Sequence, residues 1–163
     1  MGYGNSRTGA GLASVLRRYG IARLVDVRSK PYSRRRREFS REPLDAALTG
    51  AGLEYLWMGD TLGGKPEDPA CCTGGEVDYA KIRTKAWFRQ GITELEAARA
   101  SGVRLAVMCA ELAPERCHRA WLIGEALVAD GVPVMHIDGD DSLVPHEQVI
   151  ERLTRGQRTL FGL

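Results

Sequence analysis

Two short segments in the second half of the chain concentrate the groups that do chemistry. Cys109-Ala110-Glu111 and Cys117-His118-Arg119 set two thiols, a carboxylate, an imidazole and a guanidinium on either side of the turn Leu112 to Glu115. The apolar run Val103 to Met108 reads as a buried strand and Ala120 to Val128 as a helix. Both segments therefore fall where a strand ends and a helix begins. Free backbone N–H groups and the positive end of a helix dipole gather ligands there.

Glu111 follows an apolar strand, where packing alone gives no reason for a carboxylate. It suits a general base or nucleophile, and with Asp26 it makes a carboxylate pair for acid–base work at a glycosidic or phosphoester bond. Capping of the following helix is the plainer alternative. His118 and Arg119 sit in the first turns of that helix and suit an anion, though His118 also suits a buried carbonyl. Cys109 has a layout that resembles cysteine phosphatases and sulfurtransferases, and thiol transfer there stands against a packed core thiol. Glu111 adds repelling charge to such a loop, Pro114 removes a donor, and Arg116 lies one residue further on than in the phosphatase loop. Cys117 shares a helical face with Ala120, Trp121, Gly124, Leu127 and Val128, which reads as core. No cysteine spacing is a CxxC, so no metal site is expected, and no cofactor either.

A second constellation lies earlier. Leu24-Val25-Asp26-Val27-Arg28 puts Asp26 and Arg28 on one side of a strand, with Arg28 at its carboxyl end. The pair reads equally as a structural ion pair or as part of a site. Beyond it, Ser29 to Arg37 supplies hydroxyls, Lys30, Tyr32 and four successive arginines, Arg34 to Arg37. Guanidinium forks match phosphate and a tyrosine stacks on bases, whereas a solvated basic loop is the alternative. Gly63-Gly64-Lys65 allows close backbone approach to a ligand or acts as a lid hinge.

The elements that position these groups alternate. Thr8 caps a helix to Tyr19 and Gly20 stops it, and Arg23 to Val27 is a strand. Ser40 caps a second helix with Pro43 in its first turn, and Leu53 to Trp57 is the next strand. Residues 58–77 form a Gly, Pro and Asp-rich loop, read as a lid or a disordered stretch. Asp78 to Ala100 is helical with a break near Thr84 to Gln90. After the central strand and helix come a strand at Val132 to Ile137, a polar turn at Asp138 to Asp141 and a helix at Pro145 to Leu153. This alternation predicts a single α/β domain over 1–155 followed by a tail at 156–163. Its mostly parallel sheet would have about five strands, with helices on both faces and right-handed crossovers.

The chain has 163 residues with 44% hydrophobic content, enough for one cored domain. A formal charge of +2 confines any nucleic-acid binding to a local patch. No apolar stretch approaches the roughly 18 residues needed to cross a bilayer, and no secretory leader opens the chain, so a cytoplasmic protein without a membrane partner is expected. Its four cysteines are expected reduced.

These same residues carry a resemblance. Gly2-Tyr3-Gly4-Asn5-Ser6, Leu24-Val25-Asp26-Val27-Arg28 with Pro31 and Ser33, Leu62-Gly63-Gly64, Met108-Cys109-Ala110-Glu111 and Cys117-His118-Arg119 look like the motifs of the domain of unknown function 488 family, from the start to about His136. The resemblance implies an α/β fold and a shared polar site at these positions. It adds Gly4, Ser6, Pro31 and Ser33 to the candidate anion-binding set of Arg28, Arg34, Gly63, Gly64, Cys117 and Arg119. The chain starts almost inside the first motif, so a clipped or frayed first strand is expected.

Three functions follow as expectations. The first is a hydrolase or transferase on a phosphate-bearing substrate, a nucleotide or nucleic acid, in which Arg28, Arg34 and Arg119 hold the anion. Glu111, helped by Asp26 or His118, attacks or moves protons. The second is a non-catalytic nucleic-acid-binding module using Arg34 to Arg37. The third is a thiol-dependent transferase using Cys109.

Overall fold

The structure, a computed structural model, describes residues 1–4 and 8–152. The expectations for Ser6 and for the tail at 156–163 lie outside these residues. Three parallel strands form the main sheet: β1 (Arg23–Asp26), β2 (Glu54–Trp57) and the later β5 (Leu105–Met108), in the order β2-β1-β5. β1 is central, and its side chains alternate between two apolar layers. Leu24 packs with Leu12 and Leu16 of α1 (Gly9–Arg18) and with Leu44 and Leu48 of α2 (Arg41–Gly50). Val25 and Val27 face the opposite layer, with Leu62 of α3 (Gly59–Leu62), Ile82 of α4 (Tyr79–Arg83), and Phe88 and Ile92 of α5 (Ala86–Ala100). Helices thus cover both faces, which makes this an α/β protein, and burying each such Leu or Phe stabilises it by roughly 1.5–3 kcal/mol.

Local signals act as the residue types demand. Thr8 accepts at 3.0 Å from the Gly11 N–H, capping α1. Ser40 stands at the start of α2, but its hydroxyl accepts from the Ser33 N–H at 3.1 Å instead of capping, tying the basic loop to the helix. The break between α4 and α5 falls at Thr84 and Lys85, inside the expected interval.

The sheet has three strands where about five are expected. At the start of the chain, residues 1–4 contribute one parallel bridge, Gly2 with Cys109. The Met1 ammonium donates to Val107 O at 2.7 Å. At the other side, β6 (Met135–Ile137) pairs antiparallel with β7 (Leu143–Pro145) in a hairpin of its own. A cavity of about 1010 Å³, lined by Leu105 to Val107 and Val132 to Ile137, separates that hairpin from β5. Residues 146–152 are helical after β7.

Residues 58–77 also differ from a structureless loop. They hold α3, a 3-10 turn at Pro69–Cys71 capped by Asp68, and the hairpin of β3 (Cys72–Thr73) with β4 (Glu76–Val77). α6 (Glu125–Ala129) continues directly from a π-helical stretch at Arg119–Gly124. All four cysteines are free, and among the described residues no helix is long and apolar enough to cross a membrane.

Candidate active site

A cleft of about 1010 Å³ opens beyond the carboxyl ends of β1 and β5. Cys109, Cys117 and His118 line it together with Arg28, Gly64 and Glu111, so two chain segments expected to meet do meet. Cys109 directly follows β5, and its N–H donates to Met1 O at 3.2 Å. Cys117 ends a 3-10 turn at Pro114–Arg116, its N–H donating to Pro114 O at 3.1 Å. His118 begins the helix that runs through the π turn.

The three side chains form one cluster. His118 Nδ1 lies 3.7 Å from Cys109 Sγ and 3.7 Å from Cys117 Sγ, and its Nε2 lies 3.2 Å from Val27 O. A carbonyl only accepts, so Nε2 donates to Val27 O and Nδ1 is the ring atom turned toward the two sulfurs. Gly64 closes against this ring: a Cβ there would lie 2.5 Å from His118 Cγ. The sulfurs are unequal. The Cys117 thiol hydrogen-bonds to Cys109, and this bond, then His118 and the Glu111 N–H, hold the Cys109 thiol far below its ordinary range against the opposing effect of burial. The Cys117 thiol is pushed up by donating that bond and by burial. Cys109 is therefore the more acidic thiol of the two. Burial, and then the two sulfurs, also raise the Tyr79 hydroxyl that lines the same cleft.

Asp26 and Arg28 make a buried ion pair beside the cluster. Asp26 is fully buried and accepts from Arg28 Nε at 2.8 Å, Arg28 Nη2 at 2.6 Å, the Arg28 N–H at 3.1 Å and the Tyr55 hydroxyl at 2.7 Å. Burial works against the Arg28 charge, but the bonds and charge of Asp26 outweigh it and raise the guanidinium. Burial and Asp26 together push the Tyr55 hydroxyl up. Arg28 Nη1 reaches the Tyr3 hydroxyl at 3.3 Å. Arg28 lines the cleft and Asp26 does not, so the carboxylate orients the arginine from behind.

The other candidates spread out. Arg119, 3% exposed, turns away from the cleft and donates to Glu111 O at 2.5 Å and Leu112 O at 2.9 Å, pinning the loop after Cys109. Gly4 receives a bond from Arg36 Nη1 at its carbonyl, and Arg36 also stacks over Phe39, so one arginine of the basic run is structural. Arg34, Arg35 and Arg37 are exposed outside the cleft. Pro31 O accepts from the Arg41 N–H at 2.9 Å, and Ser33 Oγ accepts from the Arg36 N–H at 3.2 Å, so both shape the loop. Gly63 packs where a Cβ would lie 2.2 Å from Gly59 O.

Tyr3 of the first motif, Lys65 of the paired-glycine segment and Arg116 of the turn also line the cleft, and Tyr79 joins them without any sequence signal. Cys109, Cys117 and His118 are the one group among the described residues able to hold a metal, with ligand atoms all within 4.8 Å of one another.

Fold and cleft together define an α/β protein with a thiol–imidazole cluster at the carboxyl ends of parallel strands. A family model described as "Domain of unknown function DUF488" matches residues 10–125, well over half of the chain, and the chain belongs to that family. The match ends before His136 and starts after the Gly2 to Ser6 motif, a narrower span than the motifs suggested. No curated protein and no solved structure matches the chain.

Proposed function

We propose that the chain is an enzyme of the hydrolase or transferase kind, with this cleft as its active site and a small phosphate-bearing molecule as its substrate. One observation carries the reading: Glu111, Cys109, Cys117, His118 and Arg28 share a single cleft. Glu111 is exposed to it and serves as general base or nucleophile. Lys30, Lys65 and Arg116 are exposed cations on the same walls and face the anion, while Arg28 holds Tyr3 in place. Arg34 to Arg37 take no part in binding on this reading, and Asp26 acts only through Arg28.

A second reading, thiol-dependent transfer by Cys109, is favoured by the hydrogen bonds from Cys117 and His118 that lower its thiol. One panel separates the two. Hydrolysis of a set of phosphomonoesters and nucleotides is measured for the wild type, Glu111→Gln and Cys109→Ser. Glu111→Gln is expected to keep the fold and substrate binding and to lose turnover by at least about a hundred-fold. Full activity in that variant defeats the first reading, and equal sensitivity of the wild-type enzyme before and after thiol alkylation defeats the second.

A further inference from the structure

We propose that Cys109, Cys117 and His118 form a zinc site whose fourth coordination position opens into the cleft. The inference rests on the cleft being the reaction centre and assigns Cys109 the role of a ligand. Geometry carries it. A tetrahedral zinc with Zn–S of about 2.3 Å and Zn–N of about 2.05 Å requires sulfur–nitrogen separations of about 3.6 Å. Both sulfurs stand 3.7 Å from His118 Nδ1, and all three donor atoms lie within 4.8 Å of one another. Both sulfur–nitrogen separations thus lie within about 0.1 Å of what an ion between the donors requires.

The surroundings match those of a metal ligand. His118 gives its other ring nitrogen to Val27 O at 3.2 Å, which fixes the ring and leaves Nδ1 as the donor atom, the usual support for a metal-bound imidazole. Gly64 leaves room for that ring position. Both sulfurs are buried, at 7% and 2% exposure, where a pair of thiolates without a cation is strongly disfavoured. Two thiolates and one imidazole suit zinc over the hard cations that prefer oxygen. Among the described residues no fourth His, Cys, Asp or Glu joins the group, so the site is of the open kind that keeps a position for water or substrate. Binding replaces the protons still held by the two thiols, and these leave to solvent. Glu111 lines the same cleft as a carboxylate outside the ligand set, placed to receive a proton from a group in that fourth position.

The test uses the full chain, reduced and stripped by a chelator, with zinc alone as the probe in competition with a chromophoric chelator. Cobalt is then substituted and the thiolate-to-cobalt band recorded. The expected results are about one zinc per chain, a cobalt spectrum of tetrahedral type with that band, and at least a hundred-fold weaker binding in Cys109→Ser, Cys117→Ser and His118→Ala. Cys71→Ser, in the region of the β3–β4 hairpin, is expected to bind as the wild type does. Should the ligand variants unfold, alkylation of the wild type decides: zinc protects Cys109 and Cys117, and removing it exposes them. Binding below about a tenth of an equivalent, no thiolate band, or unprotected cysteines in the presence of zinc overturns the proposal. Glu111→Gln, outside the ligand set, keeps its zinc whether or not it loses turnover, so failure of the metal site and failure of the hydrolase reading are read separately.

Discussion

Replacing Asp26 by Asn tests whether the buried ion pair holds the cleft together. The substitution keeps shape and removes the charge, and it turns an NH₂ group toward donors that now have one acceptor too few. Asp26 accepts four hydrogen bonds, three from Arg28 and one from Tyr55. Arg28 is 6% exposed and is left with an uncompensated charge, a situation that costs about 3–5 kcal/mol. At this chain length that lowers Tm by roughly 6–20 °C. With native stability of about 8–24 kcal/mol for a chain of this size, the variant still folds at room temperature. Urea unfolding followed by circular dichroism gives the number. Tyr55→Phe removes one donor and leaves the pair, so it should cost less, about 1.5–3 kcal/mol. Asp26→Leu combined with Arg28→Met removes both charges and should recover much of the loss, since apolar replacement of a whole buried pair is often neutral. A cost below about 1 kcal/mol for Asp26→Asn, or a double variant no better than the single, would refute the reasoning.

Gly64→Ala drives a Cβ to 2.5 Å from His118 Cγ, so the ring must leave its place, and a loss of about 1–3 kcal/mol together with impaired zinc binding is expected. Gly9→Ala meets nothing within 4 Å and should be neutral or stabilising by up to about 1 kcal/mol, and equal melting temperatures for the two variants would contradict the close packing at Gly64. Desolvation lowers His136 from 6.5 to about 3, so the folded protein refuses a proton that the unfolded chain accepts, and stability falls as pH drops from about 6.5 toward 3. Near pH 4.5 the loss from this group is about 3 kcal/mol. His136→Gln should flatten that limb in urea titrations at neutral and acid pH, and an unchanged slope would remove His136 as its cause.

Much of the fold is legible in the chain because single residues decide it. Thr8, Gly20 and the apolar positions Leu12, Val15 and Leu16 suffice to define α1, and three apolar runs define β1, β2 and β5. Pairing is another matter. Val132 to Ile137 has the composition of one more parallel strand, yet its partner is set by the turn that follows it. There Asp141 takes a left-handed φ of 67° and the Asp138 N–H bonds to Ser142 O at 2.9 Å, folding the chain back so that Met135–Ile137 meets Leu143–Pro145. Residues 58–77 read as unstructured because each piece is shorter than any periodicity window. Their order comes from caps and ion pairs instead, Asp68 capping Pro69–Cys71 and binding Lys85 at 2.7 Å.

The site is legible in its residue types and hidden in its geometry. Cys109 and Cys117 stand apart by a spacing that matches no short motif, and helical periodicity assigns Cys117 to the core. The structure satisfies both readings, for Cys117 belongs to an apolar cluster and also lines the cleft. The connecting device is the π turn at Arg119–Gly124, a wider helical turn of the sort that recurs at functional sites. At its start, His118 faces the sulfurs and Val27, while Arg119 points the other way to grip the carbonyls of Glu111 and Leu112. One helix start thus supplies two members of the cluster and clamps the loop that carries Glu111. Cys117-His118-Arg119 and Cys109-Ala110-Glu111 therefore act as a single mechanical unit, in which a change at Arg119 reaches the cleft without Arg119 ever touching what binds there.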